Sequence, residues 1–153
     1  MKSLELKIPP PVVAALIAVA MWGISLIAPS LRIPTSTRVA MAIAIGLVGV
    51  GFSVAGVMSF RRARTTVNPM KPKAASSLVS SGIYRITRNP MYVGLLFVLV
   101  AWAAFLSLAW ALLGPVAFVL FIDRFQIAPE ERALSALFGG EYTAYRSRVR
   151  RWL

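Results

Sequence analysis

Apolar residues gather in three blocks, Val12–Ala28, Val39–Phe60 and Met91–Ile122, and the segments between and around them hold all 17 Lys and Arg. None of the blocks alternates apolar with polar positions, and none leaves one polar stripe at helical spacing. The pattern predicts helices that are apolar all round and sit in lipid. The first block follows Pro9-Pro10-Pro11 and stops before Pro29, at the short limit for a spanning helix. Lys2 and Lys7 give it the basic start of a signal peptide, but the run is longer than a typical apolar core of such a peptide and no cleavage site follows. The second block is long enough to span with some tilt. Its Gly46, Gly49, Gly51 and Gly56 offer small surfaces for close helix packing.

The third block is either one overlong helix or two short ones, and charge decides between them. If the chain turns near Ser107, the amino end, the 61–89 segment and the tail share one side, which gives 15 Lys and Arg against the 2 of Arg32 and Arg38. A single crossing would split them 9 against 8. The bias of basic residues toward the cytoplasmic side favours the hairpin. The expectation is therefore an all-α integral membrane protein of one domain, with about four transmembrane helices near 12–28, 39–60, 91–106 and 108–125. The last two form a tight hairpin, 61–90 is a basic loop, and 126–153 is an interfacial, helical, cytoplasmic tail. Both termini lie in the cytoplasm, and a prokaryotic inner membrane is the expected location. Each hairpin helix is about 24 Å long at 1.5 Å per residue, short for a hydrocarbon core of about 30 Å, so local thinning is implied.

Composition agrees: 58% of residues are hydrophobic and 14% charged, against about 25% charged in soluble domains. The net charge of +12 raises nucleic acid as a partner. The basic residues, however, flank apolar runs instead of interleaving with aromatics on a polar face, which points to anionic lipid headgroups. Cysteine and histidine are absent, which removes disulfides, thiolate nucleophiles and the usual zinc ligands. No metal site is expected, and chemistry falls to five carboxylates, four tyrosines, the basic residues or a borrowed cofactor.

The hairpin returns the chain to the face it left, so the tail lies beside the segment that enters the third block. The entry segment reads Gly82-x-Tyr84-x-x-x-Arg88-Asn89-Pro90-x-Tyr92-x-Gly94. The tail reads Glu130-Glu131-x-x-Leu134-x-x-x-Phe138-Gly139-x-x-Tyr142-x-x-Tyr145-x-x-x-Val149-x-Arg151-Trp152, in which Leu134, Leu137 and Phe138 mark an amphipathic helix closed by Gly139, with a second short helix after it. This two-part pattern around a hydrophobic hairpin resembles the superfamily of isoprenylcysteine carboxyl methyltransferases and phospholipid methyltransferases. Thr66-x-Asn68-Pro69-x-Lys71-Pro72 is similar to its prokaryotic members. The resemblance implies S-adenosylmethionine as cofactor and a lipophilic, membrane-embedded methyl acceptor. It places cofactor-binding residues at Tyr84, Arg88, Asn89, Pro90, Tyr92, Gly94, Glu130 and Tyr142, and candidate catalytic residues at Glu131 and Arg146. Asn89 stands where the family pattern carries histidine.

The residue types suit that cofactor on chemical grounds. Glu130 and Glu131 can face its cations, Arg85 or Arg88 its carboxylate, and Tyr84, Tyr92 or Tyr142 its sulfonium or adenine. Each also has a simpler reading. Asn89-Pro90 is a favourable helix start, acids in a first helical turn complement the dipole, and interfacial tyrosines anchor helices. Arg146, with Arg148, Arg150 and Arg151, suits contact with headgroups. Asp123 and Arg124 could pair with each other at the end of the fourth helix. With no side chain that ordinarily titrates near 7, a carboxylate acceptor of the isoprenylcysteine type is favoured over an aminophospholipid. Two alternatives stand beside the methyltransferase reading: an NADPH-dependent relative of membrane sterol reductases, and a non-catalytic lipid-binding or scaffold subunit.

Overall fold

A computed structural model describes residues 5–64 and 77–153; Lys2 and the 66–72 motif lie outside them. The order is α1 (Pro10–Ser25), α2 (Thr35–Arg62), a 3-10 turn (Gly82–Arg85), α3 (Pro90–Leu106), a second 3-10 turn (Ala109–Leu112), α4 (Leu113–Ile122), a π turn (Asp123–Ile127) and α5 (Ala128–Arg148). Among the described residues no strand forms; Thr87 and Arg150 make one isolated parallel bridge. Two helical stretches are long and apolar enough to cross a membrane, Thr35–Arg62 and the continuous run Ala109–Arg148, while α1 and α3 are apolar but shorter.

Several boundaries differ from the sequence expectation for local reasons. α1 begins at Pro10, where a proline sits in the first turn without loss of a hydrogen bond. It ends at Ser25 because the next residues tighten into a turn, with the Leu26 amide bonded to the Gly23 carbonyl. α2 runs past the apolar block at both ends, from Thr35 to Arg62. α3 ends in a left-handed Ser107 (φ 54°), and α4 follows as its packed neighbour. Ser107 is fastened to the α1–α2 connection, since the Leu31 amide donates to the Ser107 carbonyl (2.6 Å) and the Ser107 hydroxyl to the Leu31 carbonyl (2.9 Å). The tail agrees with the expectation: its first helix is closed at Gly139, whose backbone is non-helical (φ 50°, ψ −121°), a conformation that glycine adopts at least cost, and a second short helix runs on to Arg148.

The α2–α3 seam is close because glycines on both helices face it. A Cβ on Gly94 would stand 2.0 Å from Ser53 Oγ and 2.6 Å from the Gly49 carbonyl oxygen. One on Gly56 would stand 2.9 Å from Met91 Cγ and 3.2 Å from Pro90 Cγ. Small residues thus let backbone meet backbone, the device by which apolar helices associate when lipid offers no hydrophobic drive. The core on the other side of α3 gathers Met21, Leu99, Phe118, Ile122 and Ile127, each at most 2% exposed.

Gly94→Ala is expected to lower stability by about 1–3 kcal/mol, since the seam must open. Gly51→Ala, whose Cβ would meet nothing within 4 Å, is expected to be neutral or slightly stabilising. Thermal unfolding of the two variants in detergent checks the contrast.

Candidate functional site

Three pieces of chain meet at the amino end of α3: the Gly82–Asn89 approach, the first turn of α5, and the segment after α5. The last is held by backbone first. The Arg88 amide donates to the Arg150 carbonyl (2.9 Å), the Thr87 hydroxyl to the Arg151 carbonyl (3.1 Å), and Asn89 Nδ2 to the same carbonyl (2.9 Å). Asn89 occupies the N-cap position of α3 yet makes no side-chain cap. Its side chain ties down the carboxyl-terminal segment instead. Pro90 is fully buried at the first helical position, against Gly56 of α2.

Glu131 is the hub of the charges. Arg151 grips it with two hydrogen bonds, Nε to Oε1 at 3.1 Å and Nη2 to Oε2 at 2.7 Å. Arg88 Nη1 lies 3.2 Å from Oε1 on the other side, both side chains being 10% exposed. Arg151 also reaches Asp123 at 3.5 Å, and Trp152 Nε1 donates to the same carboxylate at 3.2 Å. Asp123 therefore pairs with the tail, while Arg124 is exposed. Arg88 Nη1 is at ion-pair distance without hydrogen-bond alignment, and neither it nor Nε has a hydrogen-bond partner although both atoms are buried. Buried donors in that state are costly, so a ligand oxygen would be well received there.

Glu130, one residue earlier, has different company. The Tyr92 hydroxyl donates to Glu130 Oε1. α5 is the polar part of its long helical run, beyond the apolar stretch. Burial pushes the Glu130 carboxyl up from the ordinary 4.5 to about 8, partly offset by the bond from Tyr92 and reinforced by the neighbouring Glu131 charge. Tyr84 is buried at 5% exposure, with its ring edge on Phe60 (centroids 5.3 Å apart, 87°) and its carbonyl accepting from the Tyr145 hydroxyl at 2.7 Å. Burial also raises the Tyr84, Tyr142 and Tyr145 phenols, which keeps them neutral. Tyr142 and Tyr145 pack 6.3 Å apart, and Tyr142 stands beside Arg88.

Tyr84, Arg88, Asn89, Tyr92, Glu130, Glu131 and Tyr142 are thus one cluster. Two expected members, Pro90 and Gly94, face α2 in the seam, and Arg146, exposed on α5, meets the cluster only at its edge, where its charge acts on Tyr142. Sequence reasoning passed over Thr87 and underrated Arg151 and Asp123. Thr87 is completely buried in a segment with no periodicity to mark it, and Arg151 lies in an arginine-rich run that resembles a headgroup-contact segment.

The phospholipid methyltransferase family model matches residues 37–141, more than half the chain, and the protein belongs to that family. An uncharacterised protein of Haemophilus influenzae is 52% identical over 65 residues, which are 41% of this chain and 100% of that protein. No solved structure matches. The family is one of methyltransferases and lies within the superfamily that the sequence motifs indicate.

Glu131→Gln is expected to cost about 3 kcal/mol, the lower end for breaking a buried ion pair, because Arg151 is one-third exposed. Chemical or thermal unfolding measures it. Glu130 predicts a pH effect of opposite sense to ordinary acid denaturation. Its carboxyl holds a proton in the folded state up to about 8 and loses it near 4.5 when unfolded, so its contribution is fully present below 4.5 and is lost as pH rises through 8. Glu130→Gln should flatten the melting temperature between those values relative to the unaltered protein.

Proposed function

We propose that the protein transfers a methyl group from S-adenosylmethionine to the headgroup of a membrane lipid. The observation that carries this reading is the pair of buried Arg88 donors without a hydrogen-bond partner, Nε and the Nη1 that lies at ion-pair distance from Glu131, set among Tyr84, Tyr142 and the Tyr92–Glu130 pair. That donor set fits the cofactor: Arg88 would hold its carboxylate, and the tyrosines would face its adenine or sulfonium. When bound, the cofactor supplies an electrophilic methyl group. The chain's own work is to orient the two reactants, exclude water and accept a proton, since little else is needed for an in-line displacement.

Glu130 bears on the acceptor. The sequence argument for a carboxylate acceptor rests on the lack of any side chain titrating near 7, and a carboxyl at about 8 supplies such a group. An amine acceptor must lose a proton before it attacks, and Glu130, with Oε1 held by Tyr92, is a base of suitable strength. An aminophospholipid is accordingly the proposed acceptor. A lipid carboxylate, which needs no base, is the second reading, favoured by Asn89 in the family's histidine position. The proposed topology is four spans with both termini cytoplasmic, so that exposed Arg146, Arg148 and Arg150 face anionic headgroups at the membrane surface.

In detergent, S-adenosylmethionine or S-adenosylhomocysteine at 100 times its dissociation constant should stabilise the protein by about 2.7 kcal/mol; a response to NADPH alone would favour the reductase alternative. Methyl transfer to an aminophospholipid should rise with pH through an ionisation near 8 and fall roughly 10²–10⁴-fold in Glu130→Gln. Transfer to an isoprenoid carboxylate with no pH dependence above about 6 would instead support the second reading, and transfer to neither would support a binding subunit.

A further inference from the structure

A groove of about 610 Å³ runs along α3 between α1 and α2. Its α1 wall is made by Ala15 and Ala18, its α2 wall includes Ala42, and its floor is the α3 face bearing Leu95, Trp102 and Phe105. Every lining residue is apolar. Far from the site, the groove ends at the stacked Trp102–Phe105 pair (5.5 Å, 16°), with the Arg38 guanidinium over the Phe105 ring and on the Phe105 carbonyl. Toward the site, Leu95 lies one helical turn beyond Tyr92, and both belong to one packed cluster with Leu99 and Trp102. The same face of α3 therefore carries the groove at one end and, through the Tyr92 hydroxyl, Glu130 at the other.

We infer that this groove holds one hydrocarbon chain of the methyl acceptor, with the chain lying along α3 and its headgroup delivered to the Tyr92–Glu130 end. The inference rests on the methyltransferase reading and adds to it the route by which the lipid is gripped. Its occupant follows from the lining and from continuity with the site: a chain with no polar groups matches a wall with none, and a chain tethered to a reacting headgroup must lead away from that headgroup. Small alanines on two facing helices leave the width. The Trp102–Phe105 pair sets where the chain ends.

Trp102 on the floor is a built-in reporter. A phosphatidylethanolamine carrying a brominated acyl chain is added to the full chain in detergent, and quenching of Trp102 is obtained as the difference between the protein and Trp102→Phe. Saturable quenching is expected, displaced by the unbrominated lipid and strongest for bromines at one depth of the chain. Ala15→Phe and Ala42→Phe fill the groove and should weaken binding roughly tenfold, raise KM for that lipid by a similar factor, and leave the cofactor-induced thermal shift unchanged. Non-saturable quenching, or quenching equal for bromines at every depth of the chain, would overturn the inference on the unaltered protein, even where the filled variants fail to fold. So would a dimer dissociated by Ala42→Phe, which would assign the groove to a second copy of the chain. Quenching needs no turnover. Saturable quenching without methyl transfer would therefore defeat the methyltransferase reading and keep the groove, whereas methyl transfer indifferent to both fillings would do the reverse.

Discussion

The carboxylate of Glu131 is the constraint to which the site is built. A carboxylate that is 10% exposed cannot be left without cationic partners in a low-dielectric setting, and here the partners come from two distant places. Arg88 arrives from the approach to α3 and Arg151 from the end of the chain, 63 residues later in sequence, while Glu131 itself sits in the first turn of α5. The ion pairs are directional as well as attractive, because Arg151 is bidentate. Together with the Thr87 and Asn89 bonds to the Arg151 carbonyl, they weld the tail across the mouth of the helical body. Thr87, Arg88 and Asn89 are held directly by that weld.

The weld in turn depends on the seam between α2 and α3. Gly49, Gly56 and Gly94 let the two helices close to backbone contact, which carries Phe60 of α2 to the edge of the Tyr84 ring. α1 is packed against α3 and α4, with Trp102 Nε1 bonded to the Ala18 carbonyl. Its near neighbour in sequence, α2, stands across the apolar groove. The same small residues thus have opposite effects in two places. Glycines on the α2–α3 contact remove space, and alanines on the α1 wall leave it.

Apolar runs and charge bias made the helical content legible from sequence, because a residue surrounded by lipid or packed helix must be apolar wherever it points. The pairing of the motifs was legible too, since Tyr84, Arg88 and Tyr92 precede an apolar hairpin and Glu130 and Tyr142 follow it, and the structure brings the two segments together. What sequence could not supply was direction. Gly94 belongs to the same motif but points into the seam, a fact set by which side α2 occupies. Arg146 and Arg151 are five residues apart and chemically alike, yet one is exposed and the other buried two-thirds into the site, because the chain leaves the helix after Arg148 and turns back along Thr87. Asn89 read as a helix cap. It is a tether instead, its Nδ2 donating to the Arg151 carbonyl.

Adjacent acids can be given unlike neighbours, and Glu130 and Glu131 are such a pair. Glu131 is clamped by guanidinium groups and cannot leave them without stranding Arg88 and Arg151. It holds the architecture and sets the local field. Glu130 has no cation in contact among the described residues; it has a phenol on one oxygen, burial around it, and the Glu131 charge beside it, which together drive its carboxyl up to about 8. The charge that fixes the fold is thus also one of the terms that tunes its neighbour. A chain without histidine can in this way obtain a group titrating near neutrality from two consecutive glutamates, provided that one of them is committed to arginine.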